Sequence, residues 1–243
     1  MKPLFLLAVF PVVLMGWMSC SRSGTGHAAL PDPRTVDKSV PEYKNPFHPS
    51  TYAHFVARKD YRKTYDVYKD DTLLNRQPKK SRKIFVCLDE QRGQYLVDGL
   101  VAMDFPLSSG VKAYPTKTGD YAVISKKEDH TSNLYGKMYD AEGKCINYNA
   151  ESTDPVPEGG RFDGSPMPYW QRLTNAGLGL HVEKVRRHPV SHGCVRLPRN
   201  VAEILYRQTS IGTPVTIQKT PLPVSEAQKI PPAQQQESEG RKQ

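Results

Sequence analysis

Hydrophobic and polar positions divide the chain into distinct regimes. Residues 1–20, MKPLFLLAVFPVVLMGWMSC, carry one cation, Lys2, and then an apolar run from Leu4 to Met18 that Pro11 interrupts. The run is too short and too broken for a spanning helix and ends in small residues, the pattern of an export signal. Residues 21–45 have no hydrophobic period, only Gly, Pro, Ser and mixed charge, and read as a flexible tether. Across residues 46–80 aromatics recur at Phe47, Tyr52, Phe55, Tyr61, Tyr65 and Tyr68. The Tyr52/Phe55 and Tyr61/Tyr65/Tyr68 spacings predict one or two helices, entered near Pro49-Ser50-Thr51. Packing of these aromatics on the following domain is the favoured reading; the alternative is an aromatic-basic surface for polysaccharide or an anionic envelope.

From Ile84 the period changes to that of strands. Ile84–Leu88, Gln94–Val97, Val101–Ser108 and Tyr121–Ile124 are short β-rich runs separated by turn residues, and Val215–Ile217 is a closing strand. Such spacing predicts a mainly β domain over 81–217, a β-sandwich of mixed sheets, rather than repeated βαβ units. One helix is expected near its end, with Asn200 as cap, Glu203 three residues on, and Val201, Ile204 and Leu205 as its apolar face. Residues 218–243 are rich in Pro, Gln and Glu and are expected to be disordered.

Charge changes this picture only after it is placed. The chain carries 34 basic and 25 acidic side chains, a net charge of +9, which on a folded face would point to an anionic polymer. Most of the excess falls on residues 21–80, and residues 81–217 are close to balance. Sequence reading of nucleic acid by that domain is therefore not expected. A mean hydropathy of −0.60 excludes a polytopic membrane protein, and four cysteines in 243 residues exclude a disulfide scaffold. Cys87 and Cys145 are expected as core thiols, with a disulfide between them as the alternative in an exported protein.

Candidate chemistry concentrates in Gly177-Leu178-Gly179-Leu180-His181 and Arg186-Arg187-His188-Pro189-Val190-Ser191-His192-Gly193-Cys194-Val195-Arg196-Leu197. Three of the seven histidines lie just upstream of Cys194. A thiol is activated by a neighbouring base or positive charge, so cysteine beside histidine is the pairing that nucleophilic catalysis needs. Gly193 lets the backbone approach a substrate and turn amides toward an oxyanion. On an extended strand His192 and Cys194 face one side. A zinc site built from His181, His188, His192 and Cys194 is the competing reading, but their spacings follow no familiar zinc pattern.

The string Ser191-His192-Gly193-Cys194-Val195-Arg196-Leu197, the upstream Gly-Leu-His ending at His181 and the downstream Gly212-Thr213-Pro214-Val215-Thr216-Ile217 resemble the catalytic domain of the L,D-transpeptidases. These are bacterial cell-wall cysteine enzymes of YkuD-type fold. Ile84–Leu88, Gln91, Tyr95, Ser108-Ser109-Gly110, Pro115-Thr116 and Gly119 extend the resemblance over about residues 83–217.

It implies Cys194 as acyl-accepting nucleophile, His181 as general base and His192 as a residue that polarises the thiolate region. The Gly193 and Cys194 amides form the oxyanion site, Ser191 and Arg196 support it, and Arg196 meets a substrate carboxylate. Tyr169 and Trp170 wall the cleft. Val182 replaces the family's usual glycine, and only nine residues separate His181 from Ser191, which leaves His188 as an alternative base.

The implied reaction is peptidoglycan L,D-transpeptidation, with stem peptides as acyl donor and acceptor and no metal or organic cofactor. An L,D-carboxypeptidase, a hydrolase releasing proteins from the wall, and a non-catalytic peptidoglycan-binding lipoprotein are the alternatives. Trp17-Met18-Ser19-Cys20 is similar to a bacterial lipoprotein cleavage box. That similarity implies lipidation at Cys20, a membrane partner through the anchor, and a cell-envelope or periplasmic location.

Overall fold

Strand formation begins where β-branched and aromatic residues alternate across a sheet that is covered on both sides. The computed structural model describes residues 30–77 and 81–231. An N-terminal stretch holds helix α1 (Tyr52–Ala57), a short strand β1 (Tyr68–Lys69) and helix α2 (Asp71–Asn75). The first half of the main body supplies β2 (Arg82–Cys87), β3 (Arg92–Val97), β4 (Leu100–Pro106), β5 (Gly119–Ala122) and β6 (Ser125–Lys127). A three-stranded excursion follows as β7 (Thr131–Tyr139), β8 (Cys145–Glu151) and β9 (Arg161–Pro166). The chain then forms β10 (Trp170–Arg172), β11 (Gly179–Val182), β12 (Val195–Leu197), helix α3 (Arg199–Gln208), β13 (Pro214–Gln218) and a 3-10 turn at Glu226–Gln228.

The strands build three sheets. A six-stranded sheet runs β1-β4-β3-β2-β13-β5, with β13 parallel to β2. A four-stranded sheet runs β12-β11-β10-β6, with β11 parallel to β12, and the third is β8-β7-β9. Ile84, Val86, Tyr95, Val97, Phe105, Val215 and Ile217 of the first sheet share one core with Leu180, Val195 and Leu197 of the second and with Val201, Ala202 and Leu205 of α3. The fold is mainly β with mixed sheets and few helices, as the strand spacing predicts. α3 starts at Arg199 with Pro198 as N-cap and no side-chain cap, so Asn200 lies in the first turn instead of capping it. Proline's fixed φ and missing N–H suit that entry, and the Pro198 carbonyl accepts from Ala202 N–H at 2.9 Å.

Of the segments flanking 81–217, residues 46–77 place two short helices and pack their aromatics on the main domain, whereas the described parts of the expected tether and tail are held to the fold. Lys38 Nζ donates to the Val56 carbonyl (2.8 Å), Tyr43 Oη to the Ala57 carbonyl (2.9 Å) and Asn45 Nδ2 to the His54 carbonyl (2.9 Å). The described part of the expected tether is thus tied to the end of α1, where helix carbonyls lack internal partners. Tyr61 and Tyr65 lie outside any helix and Tyr68 lies on β1; Tyr61 and Tyr68 pack on Phe55, while Tyr65 is exposed, so the spacing is not that of a helical face. Phe47, Tyr52, Phe55, Val56 and Tyr61 form a second core with Val101 and Val224. The described part of the expected tail is also held: Gln228 Oε1 accepts from Val101 N–H (3.0 Å), and its Nε2 donates to the Val101 carbonyl (2.9 Å). Cys87 and Cys145 are free thiols, not a disulfide. Cys20 lies outside the described residues.

Candidate active site

The site rests on strand periodicity in the four-stranded sheet. The β10–β6, β10–β11 and β11–β12 registers set Lys126, Gln171, Leu180 and Val195 side by side in one cross-strand row. Period two sends that row away from the cleft. Lys126 Nζ donates there to the Tyr206 and Thr209 carbonyls at the end of α3, and Gln171 Oε1 accepts from Thr209 Oγ1 (2.6 Å). The residues on either side face the opposite way. Trp170, Arg172, His181, Cys194 and Arg196 all line one cavity of about 570 Å³.

Cys194 sits where the chain enters β12. Its Sγ donates to the Gly177 carbonyl at 3.3 Å. Burial raises the thiol above its ordinary range, opposed by a hydrogen bond from the Gly179 amide and by the nearby Arg196 charge. The two glycines are needed as glycines: Gly177 has φ +92°, and a Cβ on Gly179 would stand 2.4 Å from the Trp170 ring.

His181 is on β11, the strand beside Cys194, two residues along from the Gly179 that faces Cys194. Such diagonal neighbours have Cβ atoms up to about 7–8 Å apart, within the combined reach of a thiol and an imidazole. Its ring is 6.0 Å from that of Trp170 and only 4% exposed. Burial, with the Arg196 and His130 charges, lowers its pKa to about 4, so the imidazole is neutral at pH 7. Nδ1 lies 3.1 Å from the Val182 carbonyl, an acceptor only, so the matching tautomer carries its proton on Nδ1. Nε2 then keeps the lone pair a base requires.

A framework of short polar contacts holds the Ser191–Cys194 turn. Ser191 Oγ donates to the Cys194 carbonyl (2.5 Å) and accepts from Gly193 N–H (3.1 Å). Thr116 Oγ1 donates to the Gly193 carbonyl (2.6 Å) and accepts from Gly110 N–H (2.8 Å). Gln91 in turn holds Ser109 at both its amide (3.0 Å) and its hydroxyl (2.8 Å). Gln91, Ser108-Ser109-Gly110 and Thr116 are therefore the buttress of the cysteine turn. The Gly193 amide is already occupied by Ser191, which leaves the Cys194 amide as the available member of the expected oxyanion pair.

Other expected residues are placed differently. His192 is not strand-paired with Cys194, because Gly193 at φ +112° breaks the extended run. It lies at the exposed rim, stacked on Tyr135 (4.4 Å) and tilted against Tyr114 (4.7 Å). Tyr169 does not line the cavity: at φ +56° its ring turns toward Tyr206 of α3, 5.6 Å away. Trp170 does line it. Arg196 faces Glu183 at 3.9 Å. His188 is exposed and outside the cavity lining, which leaves His181 as the base candidate. Among the described residues no His, Cys, Asp and Glu side chains converge as a metal-binding group. His130, which tilts against Trp170 at 5.0 Å, and Tyr135 and Arg172 are cleft residues that motif reading missed. Only Arg172 had a readable signal, the two-residue step from Trp170 along a strand.

A family model described as the L,D-transpeptidase catalytic domain (YkuD) matches residues 81–217. A curated protein of Mycobacterium tuberculosis, probable L,D-transpeptidase 3, is 32% identical over 121 residues, 47% of this chain and 38% of that protein. The chain thus spans well under half of that relative's length. Solved structures with similar folds include an L,D-transpeptidase from Mycobacterium smegmatis (TM-score 0.44, 22% identity, 57% of this chain and 58% of that one). Another is the L,D-transpeptidase from Stackebrandtia nassauensis (TM-score 0.43, 22% identity, 68% and 65%). The chain belongs to the YkuD family of L,D-transpeptidase catalytic domains.

Proposed function

We propose that this protein is a peptidoglycan L,D-transpeptidase acting in the cell envelope. Support comes from the juxtaposition, in one cavity, of the Cys194 thiol and the uncharged His181 imidazole, with the Gly179 amide hydrogen-bonded to the sulfur. His181 Nε2 takes the thiol proton as Sγ attacks the carbonyl of an L-centre linked to a D-residue. The Cys194 amide, joined by that of Gly193 when Ser191 releases it, stabilises the oxyanion. The C–N bond breaks, the amine of the D-residue leaves with the proton from His181, and a thioester remains. An acceptor amine attacks the thioester, its proton passes through His181 back to sulfur, and a new amide forms. Neither step needs a metal or organic cofactor, and stem peptides are both donor and acceptor. The N-terminal signal and Cys20 fit export and lipid anchoring to a membrane, and the near-balanced charge of 81–217 fits a peptide substrate better than nucleic acid.

Purified protein incubated with labelled muropeptides is expected to release the terminal D-residue and yield cross-linked dimers by mass spectrometry. Cys194→Ala is expected to be inert, and His181→Gln to lose roughly 10²- to 10⁴-fold. Unaltered spectra, or full activity in Cys194→Ala, would overturn the proposal. Release without dimers would assign hydrolysis in place of transfer.

A further inference from the structure

Among the described residues, Arg172 is a cation in the cleft that no carboxylate pairs with. Along β10, Gln171 turns to α3 while Arg172 turns to the cavity beside Trp170. Its register partner is Gly179 on β11, and one step back along the parallel β11–β12 pair sets Cys194 in the same cross-strand row. Two strand spacings, about 10 Å, separate the Arg172 and Cys194 Cα atoms. Between them Gly179 has no side chain, and the edge of the Trp170 indole occupies the space above it. Among the described residues nothing accepts a hydrogen bond from the Arg172 guanidinium, and no carboxylate pairs with it. Arg196, by contrast, lies 3.9 Å from the Glu183 carboxylate, although its buried Nε has no hydrogen-bond partner among the described residues. The arginine that family resemblance assigns to a substrate carboxylate thus already has a carboxylate beside it, whereas Arg172 has none among the described residues and stands across the nucleophile's row.

We propose that Arg172 is a specificity-determining residue that binds the C-terminal carboxylate of the acyl donor's leaving residue. The inference rests on the acyl-transfer reading. With the scissile carbonyl at Sγ, the next residue extends about 3.3–3.6 Å, and its carboxylate lies on the path between Cys194 and the returning guanidinium. A guanidinium matches a carboxylate in two parallel hydrogen bonds, a fit that an amide or a continuing peptide does not offer. The indole edge under that path meets the leaving residue's side chain. The site thereby selects donors that end one residue beyond the scissile bond.

The test uses the full chain and a tetrapeptide stem with a free or an amidated C-terminus. Wild type is expected to favour the free acid roughly tenfold to a hundredfold in kcat/KM, the range of a charge-assisted hydrogen bond. Arg172→Gln should lose that preference, its kcat/KM for the free acid falling through KM to about that for the amidated peptide, and Arg172→Lys should restore part of it. Equal use of both peptides by wild type, or equal loss on both in Arg172→Gln, would overturn the proposal. Calorimetry of both peptides with Cys194→Ala, with and without Arg172→Gln, separates the two readings. Selective, Arg172-dependent binding without any turnover by wild type would keep the carboxylate site and overturn acyl transfer. Turnover without carboxylate selectivity would do the reverse.

Discussion

His181 stands between the Trp170 ring and the Arg196 guanidinium, and that position sets how it behaves with pH. Its pKa in the folded protein is about 4, against 6.5 for a free imidazole. The base therefore stays unprotonated through mildly acidic conditions, and the acid limb of kcat/KM is expected near pH 4 in place of 6.5. A limb near 6.5 would show that His181 is not buried during catalysis. The same shift carries a stability consequence. Between these values the unfolded chain binds the proton and the folded one does not, so stability falls as pH drops through that window. The stabilisation is full above about pH 6.5, and about 3 kcal/mol is lost by pH 4. Urea midpoints at the two pH values, compared with His181→Gln, measure it. The thiol moves in the opposite direction. Because burial holds Cys194 above the ordinary range, its alkylation by iodoacetamide is expected to keep rising past neutral pH. A plateau at pH 6–7 would mean a preformed thiolate–imidazolium pair instead.

At the scale of elements, the connection from β11 to β12 joins the base to the nucleophile, and the Arg187 side chain anchors it. Arg187, at φ +60°, donates to the backbone carbonyls of Arg62, Thr64 and Glu90 (2.9 Å for the last). Arg92 grips the same stretch from the sheet through the Tyr61, Thr64 and Asp66 carbonyls. Replacing Arg187 by Met is expected to cost roughly 1.5–3 kcal/mol, the range for hydrogen bonds to a charged group, and to open 183–190 to proteolysis. An unchanged melting temperature and digestion pattern would refute that anchoring. Gly179→Ala tests the facing strand: its Cβ would lie 2.4 Å from Trp170 and 2.6 Å from the Gln171 carbonyl. Overpacking of about 1–3 kcal/mol is expected, with the indole pushed toward Cys194 and slower acylation by a carbapenem. Acylation at the wild-type rate would contradict this.

The motif residues were legible because chemistry restricts them: only a thiol, an imidazole and glycines satisfy that turn. Strands β2 to β5 and β13 were legible from their apolar runs. β7 to β9 were not, because that sheet is largely exposed and lacks the apolar alternation a buried face imposes. Nor was the facing of Tyr169, which depends on a positive φ that no local spacing announces.

For the whole molecule, the limits of the recognisable domain are not the limits of the fold. Residues 81–217 carry the family match, yet the back of the six-stranded sheet is sealed by residues that precede them. Along β3, period two places Arg92 and Gln94 on that back face, and Gln94 pairs across to Asp104 on β4. Arg92 and Asp104 form an ion pair whose side chains are 1% and 0% exposed. Tyr52 Oη and Tyr61 Oη both donate to Asp104 Oδ2, at 2.6 and 2.9 Å, and Gln94 Nε2 reaches Tyr52 Oη. Phenols from the N-terminal segment thus complete the solvation of a carboxylate that the sheet itself buries. Sequence reading missed this because each residue is ordinary alone: surface-type polar residues in a strand and tyrosines at helix-like spacing. Their meeting is decided only in three dimensions. A buried pair is costly to break and cheap to remove. Arg92→Met alone is therefore expected to destabilise by about 3–5 kcal/mol, because Asp104 is left buried with one donor set gone. The double variant Arg92→Met/Asp104→Leu should recover a large part of that loss in urea denaturation. A chain beginning at residue 81 removes both tyrosines and leaves Arg92, Gln94, Asp104 and Val101 facing water. It is expected to melt well below the full chain and to bind a hydrophobic dye. If it melts with the full chain, or if the double variant is no more stable than Arg92→Met, the N-terminal segment is a passenger and this account of the fold is wrong.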